Sequence, residues 1–488
     1  MEASSRVIFT FRFARRFAAL VAAAAALGAC GASGGGSPGA GTPASSAVGA
    51  RGGAGAAGPS GPSKPSGPPG DTGPGASADG GGNAARAARG LAISPVPLDL
   101  EGKDAAERMR IGIGSYVVNA ASDCAGCHGG PPAFLAGGNP FALGGGQVVY
   151  ARNLTPDPAT GLPLSRDQFF ESMRTGRDFH GQDGMLVVMP WTTLRWASDV
   201  DLDAIYAYLR AIPPVGNAVP PDVKAGLKLP PAVPFDPATY TDGDVVRALR
   251  GAQVSFSARR GLSISPVALA DPNPGKGPSP RAQDAWGGAS VGVGSYIANA
   301  LAHCNDCHTH PDRTAGGAKV NTAAFLAGGT VFATPPPLQP LLRTVRATSA
   351  NLEGASHGFF HEADDSWTRF HAIVTTGTLV DETPARRLAF PMNLVAANLA
   401  NLLESDLRGV YDWAKAIPAT AGAADLPHQP PARWCTADAD CGSGETCGGG
   451  ECVGGACASD LDCGTCQTCG AGTCQAPAAD SVCVLTAQ

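Results

Sequence analysis

At 488 residues the chain is long enough for two or three domains with cores of their own, and a net charge of −6 argues against a nucleic-acid-binding surface. Its 66 glycines and 42 prolines assign much of it to linker and loop. The N-terminus comes first. Arg6, Arg12, Arg15 and Arg16 precede an apolar run from Phe17 to Leu27, too short for a comfortable membrane span and laid out as an export signal. Residues 1–30 therefore read as a signal peptide that ends Leu27-Gly28-Ala29-Cys30. An ordinary signal peptide cut nearby is the plainer alternative.

Residues 31–88 are dominated by Gly, Ala, Ser and Pro and hold too little apolar side chain to bury, so they read as a disordered tether. An internal repeat follows. Arg89-Gly90-Leu91 with Ile93-Ser94-Pro95-Val96 recurs as Arg260-Gly261-Leu262 with Ile264-Ser265-Pro266-Val267. Gly112-Ile113-Gly114-Ser115-Tyr116 recurs as Gly292-Val293-Gly294-Ser295-Tyr296, and Phe134-Leu135-Ala136-Gly137-Gly138 as Phe325-Leu326-Ala327-Gly328-Gly329. Order is kept while spacing drifts, which predicts two duplicated domains at 89–216 and 260–420, joined by a semi-rigid Pro-rich linker at 217–259. Each copy is predicted to close on a helix. One carries Leu202, Ile205, Tyr206, Leu209 and Ile212 after a capping Ser198; the other carries Leu407, Val410, Tyr411, Ala414 and Ile417. A short helix is also expected over 241–251.

Between these repeated blocks each copy contains a C-x-x-C-H run, Cys124-Ala125-Gly126-Cys127-His128 and Cys304-Asn305-Asp306-Cys307-His308. Two thiols about one helical turn apart can each add to a vinyl group of one porphyrin, and the next residue presents an imidazole to the iron. The pattern predicts two covalently bound haem c groups, with His128 and His308 as proximal ligands. A zinc knuckle, a thioredoxin-like pair and a simple disulfide are the alternatives.

A haem with a second protein ligand is usually an electron-transfer site, whereas an open iron is catalytic or gas-binding. Met392 is the only Met after His308, in Phe390-Pro391-Met392. After His128 the choices are Met173, Met185 and Met189; Met189-Pro190-Trp191 stands where Met392 does in the other copy, so Met189 is preferred and Met185 is held in reserve. Rival histidines are His180 in the first copy and His303, His310, His357, His361 or His371 in the second.

Beyond about Ala421 the composition changes. Ten cysteines crowd residues 435–483 among Gly, Ala, Asp and Thr, which in an exported chain reads as a disulfide-rich C-terminal module. Of the fifteen cysteines, four belong to the haem motifs, ten are left to pair, and Cys30 is the remaining one.

On these residues the chain resembles a known family. Leu27-Gly28-Ala29-Cys30 resembles a bacterial lipobox, which implies a lipidated Cys30 and a membrane attachment. Each repeat resembles a class I-type cytochrome c domain, and specifically the cytochrome c subunits of membrane-bound alcohol, aldehyde and gluconate dehydrogenases. The first copy carries the resemblance through Gly114-Ser115-Tyr116, the haem motif, Asn153-Leu154-Thr155-Pro156-Asp157, Thr175-Gly176-Arg177 and Met189-Pro190-Trp191. The second has Asn351-Leu352 without Thr-Pro-Asp, Thr376-Gly377 without Arg, Pro391-Met392 in reversed order, and Ala350 where Arg152 stands.

The resemblance implies a mainly α fold: two tandem cytochrome c domains, each a small helical bundle around haem, beside the tether and the disulfide module. It implies that Asn153 and Arg152 contact a propionate, and that the first and last helices of each domain cross closely, with Gly112, Gly114, Gly292 and Gly294 at the crossings and Tyr116 and Tyr296 packed on the last helix. Partners would be a dehydrogenase or quinol-linked donor and a downstream cytochrome or oxidase, in the periplasm or cell envelope. The expected function is electron carriage rather than catalysis, because each iron has a Met candidate, and no nucleotide, flavin or substrate motif occurs that would make the chain a dehydrogenase itself. A dihaem peroxidase with one openable iron, using His361 or His371, and a surface protein binding through its Cys-rich tail are the competing readings.

Overall fold

The computed structural model describes residues 76–129, 134–144, 146–180, 184–224, 255–269, 288–310, 320–334, 338–361, 367–379, 385–419 and 429–477. The export signal, Cys30, most of the tether, the 241–251 segment and Cys483 lie outside them. Among the described residues no helix is long and apolar enough to cross a membrane.

The first half opens on α1 (Ala76–Ile93). This corrects the tether boundary, because residues 76–88 are helical and Arg86 and Ala87 are buried. The Ala-rich composition that reads as spacer is also the best helix former once Arg86 and Ala87 have something to pack against. Next come α2 (Ala105–Tyr116), the haem-motif turn α3 (Cys124–His128), a hairpin of β1 (Pro140–Gly144) and β2 (Gln147–Tyr150), α4 (Arg166–Thr175), α5 (Trp191–Leu194) and α6 (Asp199–Ala211). Asp104 and Ser165 close capping boxes with Glu107 and Gln168, and Ser198 caps α6 through the amide of Asp201 as its sequence predicts.

The second half repeats the order: α7 (Ala258–Ile264), α8 (Gly288–Tyr296), the second motif turn α9 (Cys304–His308), β3 (Val331–Ala333), α10 (Gln339–Leu342), β4 (Thr344–Thr348), α11 (Trp367–Thr376), β5 (Thr378–Leu379), β6 (Arg386–Arg387), α12 (Met392–Leu399) and α13 (Glu404–Ala416). In both halves the helix before the motif ends in a π turn, Val117–Ala121 and Ile297–Leu301. Close helix crossings follow from missing side chains. A Cβ on Gly114 would strike the carbonyl of Ala204 on α6, and one on Gly294 the carbonyl of Gly409 on α13. Gly112 and Gly292 serve a different contact from the one expected, since they face Ala87 on α1 and Ala258 on α7.

The two tyrosines are exchanged between the halves, a correction to the expected packing within each copy. Tyr116 donates to Asp406 of α13 at 2.7 Å and accepts the amide of Leu403 at 2.8 Å. Tyr296 donates to Asp201 of α6 at 2.5 Å and accepts the amide of Ser198 at 2.7 Å. Both acceptors are buried carboxylates in the first turn of a helix, where the backbone amides favour negative charge. Arg86 adds two bonds to Asp406, at 2.6 and 2.8 Å. The fully buried Phe256 sits between the two tyrosine rings, with centroids 5.6 and 5.9 Å away, and the Arg86 guanidinium lies over its face. The exchange extends to the repeated arginines: Arg89 donates to the carbonyl of Asn401, and Arg260 to those of Trp196 and Ala197.

The C-terminal segment is a pair of small stapled units. Cys435–Cys447 and Cys441–Cys452 form the first, Cys457–Cys469 and Cys463–Cys474 the second, with sequence separations of 12 and 11 residues in each. Each unit holds one two-stranded hairpin, β8 (Thr446–Gly448) with β9 (Glu451–Val453) and β10 (Thr468–Gly470) with β11 (Thr473–Gln475). Ahead of them β7 (Ala432–Arg433) joins the edge of the β3–β4 hairpin.

Candidate functional site

Each C-x-x-C-H run forms one short helical turn, so the two thiols and the imidazole leave the same small element. The histidine is then fixed from behind. His128 Nδ1 lies 2.7 Å from the carbonyl oxygen of Arg152, and His308 Nδ1 lies 2.9 Å from that of Ala350. With Nδ1–H donating there, Nε2 carries the free lone pair and points its basicity at an incoming metal. Burial lowers the pKa of both imidazoles, which keeps them neutral and ligand-competent.

The acceptor carbonyls are held by a loop that both halves build alike. Gly137 donates to the carbonyl of His128 at 2.7 Å and Gly328 to that of His308 at 2.6 Å. Leu154 donates to Leu135 and Leu352 to Leu326, each at 2.8 Å. Leu135 and Leu326 sit at φ of 55° and 56°. A leucine in that region costs about 1–2 kcal/mol, and both Phe-Leu-Ala-Gly-Gly segments tolerate it at the same place.

The four motif thiols are free, and burial is the first cause that pushes Cys124, Cys127 and Cys304 up to about 12 and Cys307 up as well. A zinc ion at either pair would have to displace both thiol protons on binding. Among the described residues, groups of three close metal-ligating atoms occur only at Cys435, Cys441 and Cys452 and at Cys457, Cys463 and Cys474, whose sulfurs are in disulfides.

In the first half Cys124, Cys127 and His128 line an apolar cavity walled by β1, β2, α4 and α6. Met189 lines the same cavity, as do Met173 and the half-buried His180. Met185 is buried but is absent from that wall. Arg152 lines the cavity with its guanidinium 2.6 Å from Asp222, whereas Asn153 is turned inward, donating to Thr160 and the carbonyl of Val215 and accepting from Thr155. The cavity's polar edge includes residues beyond the expected domain: Lys224 lies 3.2 Å from both Asp178 and Asp222. Their only sequence signal is an acid and a lysine beside a Pro-rich segment and a second acid far upstream, which is too common to mark a site.

In the second half Met392 opens α12 and packs on the same apolar cluster as Cys304, while Cys307 and Leu394 pack on a second cluster of Phe332, Leu338, Leu342 and Phe390. His361 is 3.0 Å from the buried Glu353, and His371 is 3.2 Å from Glu404. His303 precedes Cys304 in a left-handed conformation, and His310 and His357 are exposed.

The two motif turns leave the junction between the halves side by side. Ser122 Oγ donates to the carbonyl of Leu301 at 2.7 Å, and Asn398 donates to Asp123 at 2.7 Å. Asp123 and Cys127 both contribute to raising the Cys307 thiol, so the two attachment turns share one electrostatic neighbourhood.

No protein-family model matches the chain. It is 30% identical over 201 residues to the gluconate 2-dehydrogenase cytochrome c subunit of Pantoea cypripedii, covering 40% of this chain and 37% of that protein. It is 26% identical over 321 residues to the fructose dehydrogenase cytochrome subunit of Gluconobacter japonicus, covering 65% and 54%. It is also 33% identical over 138 residues to the cytochrome c subunit of a quinone-dependent alcohol dehydrogenase of Gluconacetobacter polyoxogenes, covering 26% and 29%. The chain thus spans between about a third and about half of the length of these curated relatives. The chain resembles c-type cytochromes, and its relatives are cytochrome c subunits of dehydrogenases.

Proposed function

We propose that the chain is a dihaem c-type cytochrome that carries electrons for a dehydrogenase outside the cytoplasm. One observation carries the reading: two free-thiol C-x-x-C-H turns, each with its histidine Nδ1 held by a backbone carbonyl through the same loop. In this reading Cys124, Cys127, Cys304 and Cys307 hold two haem c groups, His128 and His308 are the proximal ligands, and Met189 and Met392 are the distal ones. The haem, when bound, supplies a one-electron iron couple.

The chain's own residues do the rest. The Arg152 and Ala350 carbonyls fix imidazole orientation and tautomer. The apolar wall of Phe141, Val149, Leu186 and Leu194 shields the site, and Arg152, Lys224, Asp178 and Asp222 form an ion-paired network at its rim. Bonds from Ser122 and Asn398 tie the halves together beside the two attachment turns, which supports electron passage within one chain. Lipidation of Cys30 would hold this unit at a membrane, with a dehydrogenase or quinol-linked donor on one side and a downstream cytochrome or oxidase on the other.

Purification followed by haem quantitation and visible and EPR spectroscopy tests the reading. Two haems per chain are expected, both low-spin, with Met189→Ala and Met392→Ala each converting one to high-spin. A stable high-spin, five-coordinate haem in the unaltered protein would overturn electron carriage in favour of an open, peroxidase-like iron.

A further inference from the structure

The hairpin that leads to the acceptor carbonyl of each motif histidine receives a third segment along its edge, and the two halves draw that segment from different places. In the first half Val148 of β2 exchanges both backbone bonds with Val223, at 3.0 and 2.8 Å, and the neighbouring Asp222 accepts from the amide of Tyr150 and the guanidinium of Arg152. The brace comes from the start of the linker. In the second half the position four residues before the acceptor is Arg346 instead of Val148, and it pairs with Ala432 of β7, from the Cys-rich segment.

The second contact is the more extensive. Arg346 reaches Glu451 at 2.5 Å and the carbonyl of Thr465 at 3.2 Å, one residue from each stapled unit. Glu451 is buried and also accepts from Gln467 at 2.7 Å, so the ion pair belongs to a satisfied network. Arg343 contacts Asp440, and the amide of Trp434 donates to the Arg343 carbonyl at 3.1 Å. Each of these contacts that leaves the module lands on Arg343 or Arg346, and β4 then leads through Ser349 to Ala350, whose carbonyl accepts from His308.

We propose that the disulfide module is an in-chain brace for the second metal site, with Arg346 and Glu451 as positioning residues that hold the Ala350 carbonyl against His308. This rests on the reading of His308 as a haem ligand. A histidine that donates through Nδ1 is the more basic ligand and favours oxidised iron. Loosening the brace weakens that donation and raises the reduction potential of the second haem alone.

The test uses the full-length, haem-loaded protein and its Arg346→Ala, Arg346→Lys and Glu451→Gln variants. Haem content is measured first, then a two-component potentiometric titration, then hydrogen exchange at four amides. Ser349 and Leu352 report the second loop; Ala151 and Leu154 are their counterparts in the first. In Arg346→Ala the first pair should exchange on the order of tenfold faster, the loss of one charge-assisted hydrogen bond. The second pair should be unchanged, one midpoint should rise while the other stays, and Arg346→Lys should restore most of both effects. Unchanged exchange, equal acceleration of both pairs, or two unmoved midpoints overturns the brace. If Arg346→Ala does not fold, Glu451→Gln, which keeps the side-chain shape, is judged by the same outcomes. Fewer than two haems per chain in the unaltered protein overturns the haem reading and the brace with it.

Discussion

In the first half the indole of Trp191 lies so close over Gly176 that any Cβ there would enter the ring, and it donates to the carbonyl of Leu186 at 3.2 Å. In the second half Asn393 follows Met392 where Trp191 follows Met189-Pro190, and among the described residues none beyond its chain neighbours comes within 4 Å of where a Cβ on Gly377 would sit. A surface groove lined by Val374, Gly377, Asn393 and Ala397 remains there. The same backbone plan is thus filled from within on one side and left open on the other. The side that lacks the indole is also the side that the disulfide module contacts. The sheet edge and the distal segment differ in the same direction: the first half is stabilised by its own aromatic and linker, the second by a covalently cross-linked neighbour.

The exchanged carboxylates give the largest contrast. Asp406→Ala strips the buried Arg86 of its anion, and breaking a buried ion pair by removing one partner costs about 3–5 kcal/mol. Asp201→Ala removes an acceptor from neutral donors, Tyr296, Ser198 and Ser255, and should cost about 1–3 kcal/mol. Denaturant titration of both variants checks the order, and equal losses would break the asymmetry.

The distal glycines come next. Gly176→Ala and Gly377→Ala both place a side chain at positive φ, 76° and 64°, but only the first collides with an aromatic ring. The second should cost about 1 kcal/mol and the first clearly more, with any perturbation of the haem absorption spectrum confined to Gly176→Ala. A reversed order would show that the groove beside Gly377 is closed in solution.

The smallest effect concerns pH. Asp440 is held down to about 2, chiefly by the Thr436 amide and hydroxyl and the Ala437 amide. Asp462, its counterpart in the second stapled unit, is lowered by the amides of Ser459 and Ala458. A carboxylate whose folded pKa is depressed contributes stability above its unfolded pKa, near 3.9, and loses it as pH falls through the folded value. Protection against hydrogen exchange in 435–475, corrected for the intrinsic rate at each pH, should therefore fall gradually between about pH 4 and pH 2, and Asp440→Asn should flatten that dependence for the first unit.

Much of the fold was legible from residue patterns. Ser198 caps α6, the periodic apolar residues of α6 and α13 form the buried faces, and repeated Gly112, Gly114, Gly292 and Gly294 mark close approaches. The C-x-x-C-H turns needed only spacing. The exchange of Tyr116 and Tyr296 was not legible, because each copy carries an equivalent last helix and local pattern cannot say which one a tyrosine meets. The helix over 76–88 was hidden by composition, since alanines serve a spacer and a helix equally. The docking of Ala432–Arg433 on β4 was hidden by length, because two residues of strand have no period to read. The tandem character of the C-terminal segment was readable in the regular recurrence of its cysteines, once the spacing is set beside Asp440 and Asp462.

The traded Tyr–Asp bonds also bear on ancestry. Each half offers one hydroxyl and one carboxylate to its twin, so a single ancestral half would present both at one face, which is the self-complementary geometry of a two-fold homodimer. Duplication and fusion of such a gene would convert an association that depends on protein concentration into one that does not. Copies fused in that way would be free to diverge in their loops without losing their fit.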